Sequence, residues 1–220
     1  LYPEVLDDAD SEDATALTVA VAEGKRGVLP SFYTGKREDE SRLRGIATHM
    51  LLQFCDLERL AKGSAAEELA HLCESGFLTK EDAGLVRVDE IEKFRRSTLF
   101  SDMRRASHLY RELRFNVRLP AKDFTDDEAR RAALAGECIL VQGVIDCIIE
   151  TEDGTLTLVD YKTDRMSREE EANPALADKA LREKHEKQLS YYAEAVKMMF
   201  GRAPRRTEIY SLQLGRSVYL

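Results

Sequence analysis

The chain has 220 residues, 43% of them hydrophobic and 34% charged, with a formal net charge of −8. That balance is globular, and the length suffices for one sizeable domain or a domain with a small helical insert. No apolar run approaches the ~20 residues of a membrane span, and the acidic total excludes a protein that coats duplex nucleic acid by charge alone. The four cysteines, Cys55, Cys73, Cys138 and Cys147, form no CxxC pair. Their spread predicts the reduced thiols of a cytoplasmic protein rather than a disulfide frame or zinc site, and no membrane contact is expected.

Leu1 to Glu40 is weakly periodic, with an acidic run over Asp7 to Asp13. It reads as a connector with a short strand over Ala16 to Ala22 and a charged, mobile approach over Lys36 to Ser41. The opening on Leu suggests a piece cut from a longer protein. Ser41 to Lys62 reads as the first clear helix, with Leu43, Ile46, Met50, Phe54, Leu57 and Ala61 forming an apolar stripe. His49 and Gln53 border that stripe on one face. A lone His in such a place is ordinarily a packing residue.

A helical segment follows. Ala65 to Glu74 ends at Gly76, Thr79 caps a short helix, another runs over Asp89 to Arg96, and Ser101 or Asp102 caps a last turn. Leu109 to Leu119 alternates: Leu109, Leu113, Phe115, Val117 and Leu119 face one way, Glu112, Arg114, Asn116 and Arg118 the other. Pro120 closes that strand, and a short helix over Asp126 to Leu134 leads on.

Cys138 to Ile149 is apolar on both faces and reads as a buried central strand. Glu152-Asp153-Gly154 is a turn signal, and Thr155 to Lys162 is the return strand. Asp146 and Asp160 lie in this apolar hairpin, where an ionised carboxylate is costly unless something positive neutralises it. Lys162 follows Asp160 by two residues and shares its face. The two aspartates oppose each other if the loop is odd, of three or five residues, centred on Asp153 with Gly154 left-handed. Two carboxylates and an ammonium on one face suit a hard divalent cation and an anionic substrate. The plain alternative, a buried Asp160–Lys162 salt bridge, leaves Asp146 unexplained.

Asp164 to Lys184 is charged, contains Asn173-Pro174, and reads as a solvated loop-and-helix region. Glu186 to Phe200 is a strong helix stopped by Gly201. Gln188 and Tyr192 share one of its faces. Thr207 to Leu214 is a further strand, and Gly215-Arg216 turns into an edge strand ending at Leu220.

The order of the His49 helix, the Glu112 strand, the GVID…VDYKTD hairpin and the QLSYYAEAV helix resembles the RecB-like branch of the PD-(D/E)XK nuclease superfamily. The nearest likeness is to the C-terminal nuclease domains of the AddA family of helicase–nuclease subunits. It covers about His49 to Leu220 and rests on RGIATHMLLQF, LYRELRF, the hairpin and QLSYYAEAV. DxK alone occurs by chance; GxxD followed by DYKTD and a helical QxxxY is far more specific. The resemblance implies an α/β fold with a restriction-endonuclease-like core: a mixed central sheet flanked by helices. It places a helical insert at about Ala65 to Arg105, with residues 41–220 as the nuclease domain and 1–40 as a connector from an upstream helicase region.

Carried over by motif, the resemblance implies His49, Asp146 and Asp160 as metal ligands, joined by the backbone carbonyl of Tyr161. It implies Lys162 as the catalytic lysine, and Gln188 and Tyr192 as the QxxxY pair that supports the site and contacts the DNA backbone. Glu112 matches a recurrent strand acid without a settled role. Mg²⁺ is the implied ion, with Mn²⁺ able to substitute. The implied substrate is DNA, preferably single-stranded, delivered by a helicase domain of the same chain beside a second, AddB-like subunit. An iron–sulfur cluster of the kind some relatives hold needs cysteines after the QxxxY helix, and none follows Cys147. No GxxxxGK[ST] occurs, so this stretch is not expected to bind ATP. A stand-alone RecB-like exonuclease, or a non-catalytic module that binds DNA or a partner subunit, are the other readings.

Overall fold

Apolar, β-branched runs pair into one six-stranded mixed sheet flanked by helices on both faces. The structure, a computed structural model, describes residues 18–21, 36–125 and 127–220, with side chains from Glu40 onward. In chain order come β1 (Thr18–Val21), α1 (Lys36–Phe54), α2 (Leu57–Lys62), α3 (Ala65–Glu74), α4 (Lys80–Leu85), α5 (Val88–Arg95) and α6 (Thr98–Arg104). Then follow β2 (His108–Pro120), a 3-10 turn (Ala121–Phe124), α7 (Glu128–Ala133), β3 (Cys138–Glu150) and β4 (Leu156–Lys162). The chain closes with α8 (Arg168–Ala172), α9 (Pro174–Phe200), β5 (Arg206–Ser211) and β6 (Arg216–Tyr219).

β3 is the central strand. It pairs with β2 along its whole length on one side. On the other side β1 pairs with Ile139 to Gln142 and β4 with Cys147 to Glu150. Residues 143–146 therefore lie where the sheet divides. β4 runs parallel to β5, reached through α9, and the remaining pairs are antiparallel. The residues of the helical insert pack on one face with Cys147, Ile149, Val159, Tyr161 and Tyr210. On the other face α9 lays Leu189, Tyr192, Ala195 and Val196 against Phe115, Val141, Ile145 and Leu158. These clusters bury the apolar surface that drives the fold.

Several boundaries differ from expectation. The first helix begins at Lys36, not after a mobile approach, and it does not run to Lys62. It stops at Phe54 because Asp56 caps a new helix, its Oδ1 accepting from the amides of Glu58 and Arg59. The cap of α6 is Ser97, which accepts from the Phe100 amide, rather than Ser101 or Asp102. Asp127 caps α7, one residue inside the expected start. The last long helix begins at Pro174 rather than Glu186. Asn173 accepts from the amides of Ala175 and Leu176, and Pro174 occupies the first turn, so the dipeptide is a start signal rather than a loop mark. β5 ends at Ser211, short of Leu214, and turns through Gly215. Of the strand expected over Ala16 to Ala22, Thr18–Val21 is observed; the rest of that stretch, and of the connector up to residue 35, lies outside the described residues.

Candidate metal and phosphodiester site

The hairpin register puts the two aspartates face to face. Glu150 pairs with Leu156 and Cys147 with Val159, leaving a five-residue loop and Asp146 opposite Asp160. Gly154 has φ +78, the left-handed position the odd loop requires. The backbone ladder stops at Cys147 and Val159. Beyond it, the Tyr161 amide donates to Oδ2 of Asp146 at 2.7 Å. The acid thus takes a main-chain donor, and the Tyr161 backbone meets Asp146 through its N–H.

On the other flank of β3 stands Glu112, whose φ is +51. Arg111 pairs with Cys147 and Leu113 with Ile145, so Glu112 opposes Asp146 at an interruption of that ladder. Left-handed backbone at a residue with a Cβ is strained, and such strain gathers at functional sites. Here it changes which face the strands present. Leu109 packs with the insert helices, whereas Leu113 and Phe115 pack under α9. In β3, Cys147 and Ile149 face the insert helices and Val141 and Ile145 face α9. The expectation that Leu109 shares a face with Leu113 and Phe115 is therefore corrected: both strands reverse together at Glu112 and Asp146.

The reversal carries both acids to α1. Nδ1 of His49 lies 3.4 Å from Oε1 of Glu112 and 3.4 Å from Oδ1 of Asp146. One ligand atom from each of the three lies within 4.8 Å of the others. Asp146 is buried, and among the described residues its Oδ1 accepts no hydrogen bond, its contact with Nδ1 of His49 being 3.4 Å long. A buried carboxylate oxygen left in that state is costly, and a cation would relieve it. Two carboxylates and an imidazole are a donor set for a divalent ion such as Mg²⁺ or Mn²⁺.

Asp160 stands outside that trio. Its Oδ2 lies 3.1 Å from Nζ of Lys162, and both side chains are buried. Nζ of Lys162 also donates to Oε1 of Gln188 at 3.3 Å, and Nε2 of Gln188 donates to the Tyr192 hydroxyl at 3.0 Å. Tyr192 is buried edge-on against Phe115. Burial, with Asp160 and Asp146 nearby, pushes its hydroxyl far above the usual tyrosine range. Gly143, the glycine of GVID, makes this packing possible, since a Cβ there would meet the Phe115 ring at 3.0 Å.

A further group was invisible in sequence. Asp164 pairs with Lys184, and its Oδ2 lies 3.2 Å from Nε2 of His185. His185 is wholly buried. Burial holds its imidazole below the ordinary range against the pull of Asp164. His71 and His108 lie away from the site, beside Ser75 and Glu150. Glu112 carried one available signal: Leu109 and Tyr110 are consecutive apolar residues, which breaks strict alternation just before it.

Comparison with known proteins places the chain in a family. The family described as "PD-(D/E)XK nuclease superfamily" matches residues 24–219. The chain is 36% identical over 188 residues to an ATP-dependent helicase/nuclease subunit of Moorella thermoacetica, covering 84% of this chain and 12% of that protein. It is 35% identical over 157 residues to the protein of the same name from Bacillus velezensis, covering 71% and 12%. The counterpart from a Thermoanaerobacter species is 30% identical over 213 residues, covering 96% and 16%. The chain thus spans 12% of the length of the first of these relatives.

Proposed function

The chain belongs to the PD-(D/E)XK nuclease superfamily, and on that premise we propose that it is a metal-dependent deoxyribonuclease acting as an exonuclease on single-stranded DNA. Nucleases of this superfamily use divalent metal ions. The observation that carries the reading is the convergence of His49, Glu112 and Asp146 around a buried carboxylate oxygen that accepts no hydrogen bond.

In this reading His49, Glu112 and Asp146 hold the ion, with Asp160 and the Tyr161 carbonyl as further oxygen ligands. A Mg²⁺ or Mn²⁺ bound there supplies the Lewis acidity that activates water and neutralises phosphoryl charge. Lys162 orients the attacking water or stabilises the developing charge. Gln188 holds the Lys162 ammonium in place and Tyr192 supports Gln188 from within; Tyr192 is wholly buried, so the DNA contact expected of it is replaced by this internal role. The Glu112 side chain is 19% exposed and those of Asp146 and Lys162 are fully buried, so the phosphate approaches from the Glu112 side.

The relatives are helicase/nuclease subunits. On that basis the sheet, with β1, α1 and the helical insert, forms the nuclease domain of a longer cytoplasmic helicase–nuclease, so part of the stretch read as a connector over 1–40 belongs to that domain. The motor feeds it one DNA strand, and a second subunit completes a machine for double-strand-break repair and recombination.

The test is cleavage of end-labelled single-stranded DNA with Mg²⁺, with EDTA and with Asp160→Ala as controls. It is run on this chain and on the full-length protein. Shortening of the label by the intact protein alone is expected. Cleavage in EDTA, or undiminished cleavage by the variant, overturns the assignment.

A further inference from the structure

Arg111 and Glu112 are consecutive on β2, and a regular strand would send them to opposite faces. Both instead reach α1. Nη1 of Arg111 donates to the carbonyl of Cys55 at 2.8 Å and to that of Leu52 at 3.1 Å. Glu112 meets His49 on the same helix. The left-handed backbone at Glu112 permits this, because it turns two successive side chains toward one layer.

The two carbonyls are among those orphaned by the break between α1 and α2. In a continuous helix the Leu52 carbonyl would accept from the amide of Asp56, and the Cys55 carbonyl from the amide of Arg59. Neither amide is available. The Asp56 amide donates to Oε1 of Glu68 at 2.8 Å, and the Arg59 amide donates to Oδ1 of Asp56 at 3.1 Å. Arg111 replaces both donors with one guanidinium. It also places a fixed positive charge at the negative end of the helix dipole.

We propose that Arg111 is a positioning residue for His49. Its grip on the end of α1 sets the height and rotation of that helix, and so holds the imidazole against Glu112 and Asp146. The contact lies on the turns directly C-terminal to His49, so a slip of α1 there moves the ring by a similar distance. The same strand supplies Glu112, so Arg111 ties two members of the trio together. Both bonds come from Nη1, at the tip of the guanidinium; a lysine stem is shorter by one bond and ends in a compact point charge, so it holds the pair of carbonyls less well. The inference rests on the metal reading of the trio given under Proposed function.

The experiment is Mn²⁺ binding by calorimetry, without DNA, on the full chain. The variants are Arg111→Met, Arg111→Lys, His49→Ala and the Met/Ala double; melting in EDTA is recorded for each. Leu119→Ala serves as a core variant destabilised away from the site. Arg111→Met is expected to weaken Mn²⁺ about tenfold, as loss of a ligand's support does. Arg111→Lys should fall between it and wild type, Leu119→Ala should bind normally, and the double variant should bind no worse than His49→Ala. Wild-type affinity in Arg111→Met overturns the proposal, as does a loss that adds in full to that of His49→Ala. If Arg111→Met fails to fold, wild-type affinity in Arg111→Lys overturns it. Should the intact protein bind no Mn²⁺, or His49→Ala bind as tightly as wild type, the metal reading itself falls, and this inference with it.

Discussion

Gly143→Ala should destabilise the protein and slow cleavage. A Cβ at 143 would sit 3.0 Å from Cε1 and Cζ of Phe115 and 3.5 Å from Cε1 of Tyr192. Carbon atoms pack best at about 3.5–4.0 Å, so the methyl enters the repulsive wall of the Phe115 ring. Phe115 pairs directly with Gly143 across β2 and β3 and lies over it. The ring cannot swing away freely, because it is buried and held edge-on to Tyr192. Two effects compete. Removing a strand glycine returns about 0.5–1 kcal/mol of backbone entropy. Overpacking a rigid core costs about 1–3 kcal/mol. The clash wins, for a net loss of about 1–2 kcal/mol and a melting point lower by roughly 2–8 °C in a domain of this size. Any shift of Tyr192 moves Gln188 and then Lys162, so cleavage falls with it. Calorimetric melting and single-strand cleavage are measured on Gly143→Ala, Phe115→Leu and the double variant. The smaller residue at 115 should recover part of the lost stability. A Gly143→Ala protein more stable than wild type, or a double variant whose losses add in full, refutes the reasoning.

Glu112→Gly should melt about 2–4 °C higher than wild type in EDTA while losing cleavage. Glycine adopts φ +51 without the penalty of about 1–2 kcal/mol that a Cβ incurs, partly offset by unfolded-state entropy, and one of two facing acids is gone. A lower melting point in EDTA would show that the backbone there is unstrained. Burial pushes the Cys55 thiol up to about 11 and that of Cys147 up to about 12. Raised thiols keep their full contribution below the unfolded value of 9.0 and lose it as pH rises beyond, so denaturant midpoints should fall between pH 9 and 11. A thiol reagent should label exposed Cys138 first and reach Cys55 and Cys147 only after unfolding; prompt labelling of all four contradicts the packing. Asp153 is held down to about 2 by the Thr151 hydroxyl, with the Thr155 amide and hydroxyl adding to it. Its contribution is present above the unfolded value of 3.8 and lost as pH falls through 2. Protection of the turn amides, exchange rates corrected for their intrinsic pH dependence, should therefore fall over that range, and Asp153→Ala should abolish that fall.

The hairpin is legible in the sequence because its chemistry is local. Requiring Asp146 and Asp160 to meet forces an odd loop, and Gly154 sits where that loop needs it. α3 is legible down to its ends, since Ser64 and Glu67 form a reciprocal cap and Gly76 a left-handed stop. What escapes depends on residues distant in the chain. The apolar stripe runs through Cys55 and Asp56 without a pause, so the break between α1 and α2 is set by Asp56, Glu68 and Arg111 in three dimensions. The start of α9 is hidden because Asn173-Pro174 serves loops and helix starts equally well. The place of Glu112 is hidden because the alternation from Leu113 to Leu119 is unbroken, so the reversal of faces after Leu109 leaves no mark in the spacing beyond it.

Because β2 and β3 exchange inner for outer side chains at the same rung, their lengths on either side of that rung are locked together. Adding or deleting one residue between Leu109 and Phe115 would turn every later side chain of β2 inside out unless β3 changed by the same amount near Asp146. Sequence drift in this protein should therefore spare the spacing of LYRELRF relative to GVID, while the excursion from Ala121 to Glu137, which lies between the two strands, stays free to grow or shrink.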